Sequence, residues 1–369
     1  MTELFQILTL LVLSQLFFIS FFLFFSKKGN RLSNFLLAFF FLSLASGLLD
    51  YYLLISDFFE DKTQYALFLN SLVIFHAPLL FLYTQSLTFK KFRLKFIHLL
   101  HALPFVIVMV LLLIFYYNQT PELQKWVLED IKKGKDLVTI MISAFGFIYV
   151  LSYLLAIKIR IRNYRKTIME QFSNLDKINL NWLNFIVNIF IISVLASTFS
   201  NILRHSQLIS MDQGAIIFGL IGLLFFISSV LLKGLHQNEI FLGAQQIPSY
   251  GISPPEERES LLQKLNNHIT QHKPYLDPDL TLKDLAEQMQ ISSRQLSTLI
   301  NAELGKSFFD LINGYRIEEA KKILRDSKDS KLTVLEVMYG VGFNSKSSFN
   351  TAFKKYTGST PTAFKSRFS

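Results

Sequence analysis

Apolar residues fall in seven long runs separated by short polar breaks, at 4–25, 32–55, 64–88, 97–117, 137–157, 182–203 and 214–232. Each approaches the ~20 apolar residues that a helix needs to cross a hydrocarbon core, so the pattern predicts seven membrane-spanning helices. Beyond residue 233 the long runs stop. Apolar residues there recur at three- and four-residue intervals between charged ones, the period of helices with one buried face. The expected fold is all-α: an N-terminal seven-helix transmembrane bundle followed by an all-helical domain with two helix-turn-helix patterns. The expected boundaries are 1–233 for the bundle, 234–272 for a linker with an amphipathic helix, and 273–369 for the helical domain.

The linker is marked by Gly234, Gly243, Pro248, Gly251, Pro254 and Pro255, which break regular structure. Ser253 ahead of Pro254-Pro255-Glu256-Glu257 reads as a helix start. Ser caps, Pro fits the first turn, and the acids favour the positive end of the helix dipole. Leu261, Leu262, Leu265 and Ile269 form an apolar stripe that runs to about His272. The stripe suits a helix packed on the adjoining domain, and equally a helix that pairs two copies or relays a signal.

Thr281 opens a short helix with Leu282, Leu285, Ala286 and Met289 inward. Its spacing to Asp284 resembles a capping box with the shorter acid. After a turn at Gln290-Ile291, Ser292 caps a second helix. Leu296, Leu299 and Ile300 point to its core, and Ser293, Arg294, Ser297, Thr298 and Asn301 are expected to face outward. The same grammar returns about 52 residues later. Leu335, Val337 and Met338 lie on a short helix, Val341-Gly342-Phe343 turns, and Ser345 caps a helix with Phe349, Ala352 and Phe353 inward. Lys346, Ser347, Asn350, Thr351 and Lys354 are left outward. Between the repeats, Phe308 to Leu324 reads as a long amphipathic helix, a strut that would fix the spacing of the two outward faces. Hydroxyl, amide and guanidinium groups on such faces hydrogen-bond base edges and phosphates. Two of them could enter successive major-groove turns, ~34 Å apart.

Composition sharpens the division. Of 38 Phe residues, 30 precede position 241 and 8 lie from there on. The chain is 51% hydrophobic and 17% charged, with a formal charge of +10, which suits anionic partners such as phospholipid or nucleic acid. From Lys273 onward there are 15 Lys and Arg against 11 Asp and Glu, with late cations at Lys346, Lys354, Lys355, Lys365 and Arg367. These would contact phosphate and make binding salt-dependent. Loops after the first, third, fifth and seventh runs hold 14 Lys and Arg, and the alternate loops hold 6, four of them at 118–136. The positive-inside bias places the N-terminus outside and residues 234–369 in the cytoplasm. The first run is followed at once by Lys27 and Lys28 and has no basic stretch before it, so it reads as a retained span rather than a removed signal peptide.

Cys is absent, which excludes disulfides, thiol catalysis and thiolate metal sites. No metalloprotease, nucleophile-elbow or phosphate-loop motif is found, and no catalytic residue, cofactor or metal is expected. A membrane enzyme with an unfamiliar site is the remaining catalytic alternative. Polar groups inside spans are costly and face a partner. Asp50, His76, Asn188, Asn201 and Arg204 form a candidate intramembrane cluster for a ligand, with an Asp50–Arg204 pair as one arrangement. Hydrogen bonding between helices is the plainer reading. His98 and His101 share a helix face, but no carboxylate lies near them in sequence to complete a metal site.

The helical domain resembles the DNA-binding domain of AraC/XylS-family bacterial transcription regulators. The resemblance rests on Tyr315-Arg316-Ile317 with Ala320 and Leu324, Val341-Gly342-Phe343-Asn344-Ser345, Ser348-Phe349, Phe353-Lys354-Lys355, Gly358 and Thr360-Pro361, and spans 275–369. Tyr275 to Leu282 resembles the entry segment of members with N-terminal membrane regions. The resemblance implies a seven-helix, two-lobed domain that binds double-stranded DNA. Ser293, Arg294, Ser297, Thr298, Asn301, Ser345, Lys346, Ser347, Asn350, Lys354 and Lys355 are the candidate contacts. Met338 departs from the usual small Ala, and Gly340 from a better helix former. The expected protein is a regulator in the bacterial cytoplasmic membrane whose partners are duplex DNA, the lipid bilayer, a small-molecule or membrane signal, and a second copy of the chain. A DNA binder merely anchored by its spans, or released by proteolysis in the linker, is the alternative.

Overall fold

The computed structural model describes residues 3–27, 29–89, 92–133, 137–176, 178–205, 219–224, 227–228, 255–326 and 332–368. Among them the chain is helical, with one isolated β-bridge and no strand. It divides into two compact units, 1–162 with 180–243, and 163–179 with 244–369.

In the first unit, α1 (Glu3–Phe25) and α2 (Arg31–Ile55) are followed by short helical turns that include α3 (Phe68–Ser71) and lead into α4 (His76–Thr88). Then come α5 (Leu103–Leu112), continued by a π turn to Tyr117, α6 (Pro121–Lys133), α7 (Leu137–Met169) and α8 (Asn181–His205). Five stretches are long and apolar enough to cross a membrane: Glu3–Phe25, Arg31–Ile55, Thr63–Thr88, Phe96–Tyr117 and Ala144–Met169. Asn181–Ala196 is a shorter apolar helix. The expected seventh run, 214–232, and the linker lie largely outside the described residues.

Two features of this unit escape a hydropathy reading. The 118–136 loop contains α6, an amphipathic helix whose Leu128 and Gln124 are buried while Trp126 is exposed. Gln124 accepts from Thr63 at 2.5 Å and donates to the Tyr116 carbonyl at 3.1 Å. Helix α7 also outruns its apolar stretch, and its last turns from Asn163 belong to the second unit.

In the second unit, α9 (Pro255–His272) precedes α10 (Leu282–Gln288), α11 (Ser293–Leu304), α12 (Phe308–Asp326), α13 (Val334–Gly340), α14 (Lys346–Thr357) and α15 (Pro361–Lys365). Leu265 and Ile269 of α9 are fully buried in a core with Leu285, Met289, Leu296, Ile300, Phe308 and Ile312. Within the chain, then, the amphipathic stripe packs on its own domain. A second core gathers Ile317, Ala320, Leu324, Val337, Met338, Phe349 and Phe353. Helix α12 serves both, giving Phe308, Leu311 and Ile312 to the first and Ile317, Ala320 and Leu324 to the second. It is the strut that the periodicity predicts.

Local chemistry starts α10, α11 and α14 where the sequence reading puts them, and Thr333 starts α13 in the same way. Thr281 accepts from the Asp284 amide at 3.2 Å and its own amide donates to Asp284 at 3.0 Å, closing the capping box. Ser292 with Gln295, and Thr333 with Glu336, make the same reciprocal pair, each satisfying two orphan amides. Gly305 and Gly358 adopt left-handed conformations after α11 and α14, as C-caps require.

Candidate nucleic-acid interface

The helix pairs α10–α11 and α13–α14 are each joined by a tight turn. At the first turn Gln290 has φ 56°. At the second, Gly342 has φ 89°, and a Cβ there would lie 2.7 Å from the Leu276 carbonyl oxygen. The glycine thus lets the second turn close against the 273–277 segment that leads into α10.

On α11, Arg294 and Asn301 are exposed, and Ser293 and Thr298 are half-buried. Ser297 departs from the outward position expected for it. It is 8% exposed, and Asn301, one turn further on, donates to its hydroxyl at 3.4 Å. On α14, Lys346, Ser347, Asn350, Lys354 and Lys355 are exposed and Ser345 is half-buried. Ser345 is engaged as the N-cap, accepting from the Ser348 amide at 3.2 Å. Lys355 is paired with Asp310 of α12 at 2.6 Å, and Lys365 donates to the Leu332 carbonyl at 2.6 Å. Two of the late cations therefore brace the second lobe, while Lys346 and Lys354 stand on its outer surface.

The residue that sequence reasoning undervalued is Arg316, which it noted only as part of a family motif. At 1% exposure it is among the largest fully buried side chains. Its Nε donates to the Tyr275 carbonyl and Nη2 to the Asp277 carbonyl, both at 2.7 Å. Nη1 reaches Asn313 Oδ1 and the Ser173 carbonyl at 3.3 Å, and Nη2 reaches Ser173 Oγ at 3.1 Å. Desolvation lowers its pKa to about 10, opposed by Asp277 and Asp279, so it stays charged at neutral pH. A buried cation is tolerated only when its donors are satisfied, and here carbonyl oxygens do most of that. Arg316 ties α12 to the 273–277 entry segment and to residue 173.

Residues 170–176 lie against this domain. Phe172 bridges Thr281, the Leu282 amide donates to the Gln171 carbonyl at 2.9 Å, and Ser173 Oγ donates to the Leu280 carbonyl at 2.7 Å. Asn301 donates to Glu170 at 2.9 Å, and Ser348 donates to Asp176.

Among the described residues, the candidate polar residues Asp50, His76 and Asn188 of the first unit meet different neighbours. His76 meets Phe40 and Phe190, with ring centroids 6.4 and 6.3 Å away. Asp50 is buried ten residues further along α2 from Phe40, ~15 Å along the axis. Asn188 accepts from Lys158 at 2.7 Å, as does Asn184. The side chains of Asn201 and Arg204, and so the proposed Asp50–Arg204 pair, lie outside the described residues. His98 accepts from the Lys95 amide at 2.8 Å, and His101 Nδ1 lies 2.6 Å from the Tyr153 hydroxyl. Among the described residues no three potential ligands gather into a metal site.

Comparison with known proteins bears on the second unit. Residues 285–367 match the family described as "Helix-turn-helix domain". The chain is 32% identical over 146 residues to YfiF of Bacillus subtilis (strain 168), named an uncharacterized HTH-type transcriptional regulator, covering 40% of this chain and 43% of that one. It is 34% identical over 121 residues to an uncharacterized HTH-type transcriptional regulator in the cgkA 5' region of Pseudoalteromonas carrageenovora, covering 31% of this chain and 70% of that one. It is 28% identical over 112 residues to the arabinose operon regulatory protein of Escherichia coli (strain K12), covering 29% of this chain and 37% of that one. The chain thus spans less than half the length of the first and third of these relatives. The likeness supports a DNA-binding transcription regulator, and the chain belongs to the AraC-type family of helix-turn-helix transcriptional regulators.

Proposed function

We propose that the protein is a multi-pass protein of the bacterial cytoplasmic membrane that reads specific duplex DNA through α11 and α14 and regulates transcription in response to a signal received by its apolar unit. The observation that carries this reading is the presence, on one chain, of five helices long and apolar enough to span a bilayer and a helix-turn-helix domain. The apolar unit exposes Phe18, Phe21, Phe96, Leu99 and Phe115, a surface that suits hydrocarbon and not water. The excess of Lys and Arg in alternate loops supports an outer N-terminus and a cytoplasmic 273–369. The candidate base and phosphate contacts are Ser293, Arg294, Thr298, Asn301, Lys346, Ser347, Asn350 and Lys354. A second copy of the chain is the expected partner on DNA.

A cleft of about 440 Å³ in the apolar unit is lined by Leu53, Phe58, Phe59, Phe68, Met109 and Tyr117, among others. Its lining suits a lipid-soluble signal. Because the native chain has no Cys, single cysteines introduced at Ser26, Asn118 and Ser366 would report topology by labelling with a membrane-impermeant maleimide. Labelling of intact cells at 118 only is expected. Labelling at 366 would overturn the cytoplasmic placement. Full-length protein in lipid nanodiscs, selected against a random duplex library at two salt concentrations, should enrich a motif with two elements about one helical turn apart. Purely salt-sensitive binding with no motif would reduce the domain to a non-specific anchor on DNA. A soluble fragment cut at 234–255 in cells, active without the remainder, would favour release by proteolysis.

A further inference from the structure

The DNA-binding unit carries a segment distant in sequence. Residues 163–179 separate the fifth and sixth apolar stretches, yet they are built into the second unit. The attachment is specific along its length. The Tyr164 hydroxyl donates to the Ile178 carbonyl at 3.1 Å, closing the segment on itself. At its centre Ser173 is buried, its carbonyl accepting from Asn313 at 3.1 Å and from the buried Arg316. At its two shoulders stand acids. Glu170 accepts from Asn301 of α11, and Asp176 from Ser348 in the first turn of α14.

Both acids therefore sit on the helices that carry the candidate base contacts, one on each lobe. Asn301 leans over Ser297, and Ser297 is withdrawn from solvent. The second Asp176 carboxylate oxygen is buried without a partner, a costly state that makes this end of the attachment easy to open. A carboxylate that accepts from Asn301 or Ser348 takes the place that a phosphate or base acceptor would take, and it repels phosphate as well.

We propose that segment 170–176 is an intramolecular clamp that docks between the two lobes of the DNA-binding domain and covers Asn301 of α11 and Ser348 of α14, so that it must leave before DNA binds. This rests on the reading of these helices as the DNA interface. Segment 163–179 continues α7 without a break in the helix until Met169, so a rotation or shift of α7 is the motion that withdraws Glu170 and Asp176. The clamp supplies the differential contact that a two-state switch needs: the acids favour the masked state and DNA favours the open one.

The test uses the full chain in nanodiscs and the duplex motif selected with it. Glu170→Ala with Asp176→Ala should bind that duplex at least tenfold more tightly than wild type, with the same sequence preference. A separate variant, Asp176→Cys with Ser348→Cys, has the chain's only two cysteines. Oxidised, it should lose duplex binding, and dithiothreitol should restore it. Equal, tight binding by wild type, the alanine variant and the oxidised pair would overturn the masking and leave the DNA interface standing. Weaker binding by the alanine variant would overturn it too, since the segment would then be a support. Failure of wild type and the alanine variant to bind any duplex would overturn the masking together with the DNA reading.

Discussion

The two units put the same side chains to opposite use. In the first, Phe18, Phe21, Phe96 and Leu99 are exposed while Thr9, Ser33, Thr84 and Ser86 are buried. In the second, Phe308, Phe349 and Phe353 are buried while Lys346 and Lys354 are exposed. Burial from water contributes ~25 cal/mol per Å² of apolar surface, and that term holds the second unit together. For helices surrounded by lipid, as proposed for the first, it contributes little to their association, and close packing and hydrogen bonds between helices remain. Deleting a polar contact should therefore be most destructive where it is deeply buried in a water-folded core, and mild between lipid-surrounded helices.

The largest expected effect is at Arg316. Alanine there would strip the Tyr275 carbonyl of its donor, take the short bond from the Asp277 carbonyl, leave the Ser173 carbonyl with Asn313 alone, and open a cavity between α12 and the entry segment. Each unsatisfied buried acceptor costs ~1–3 kcal/mol, with a cavity term added, so a loss of ~3–5 kcal/mol is expected. Denaturant unfolding in nanodiscs, followed by a label on each unit, should show the second unit melting early and the first unmoved. A loss below ~1 kcal/mol would mean that relaxation or water satisfies those carbonyls.

Next comes Gly342→Ala. The new Cβ would meet backbone oxygens of Leu276 at 2.7 Å and Tyr275 at 2.8 Å, which cannot swing aside as a side chain does. Strain at φ 89° alone costs ~1–3 kcal/mol. Gly340→Ala, two residues earlier, should act in the other direction. Nothing lies within 4 Å of a Cβ there and the residue closes α13, so alanine should stabilise by ~0.5–1 kcal/mol. Thermal unfolding of the pair of variants separates them by sign. Destabilisation at both positions would show that the whole 340–343 turn is conformationally tight, and not its third residue alone.

What could be read ahead of the structure follows from how local the cause is. Thr281, Ser292 and Ser345 cap helices through partners three residues away, and the inward stripe of α12 repeats within the helix itself, so period and spacing identify them. The outward set on α11 and α14 was legible for the same reason, except at Ser297, whose burial accompanies a contact between Asn301 and Glu170, 131 residues apart in sequence. The seat of segment 170–176 carries no sequence pattern, because the side chains that make it, Asn301, Asn313, Arg316 and Ser348, come from three helices and meet partners more than a hundred positions away. Arg316 was visible as a residue, but the role of a buried cation depends on which carbonyls surround it. Helix α6 was hidden because its loop reads as polar overall, although its apolar positions lie on one helical face.

The smallest expected effect tests the first unit directly. Ser86 of α4 donates back to the Tyr83 carbonyl at 2.6 Å, its oxygen lies 2.8 Å from the Ser33 hydroxyl of α2, which is left to donate to it, and both serines are buried. In a water-folded core, losing a buried hydroxyl pair would leave an orphan and cost ~1–3 kcal/mol. Between lipid-surrounded helices such bonds average ~0.6 kcal/mol, because the separated helices find other partners. Each serine can also bond within its own helix, as Ser86 does to Tyr83, so Ser86→Ala should cost about 0.6 kcal/mol or less. A double-mutant cycle with Ser33→Ala, read by unfolding in nanodiscs, isolates the pair itself. A coupling of ~2 kcal/mol or more would mean that α2 and α4 associate through this bond as a soluble core would. The contrast between the two units would then rest on their surfaces alone, and not on how their interiors are held.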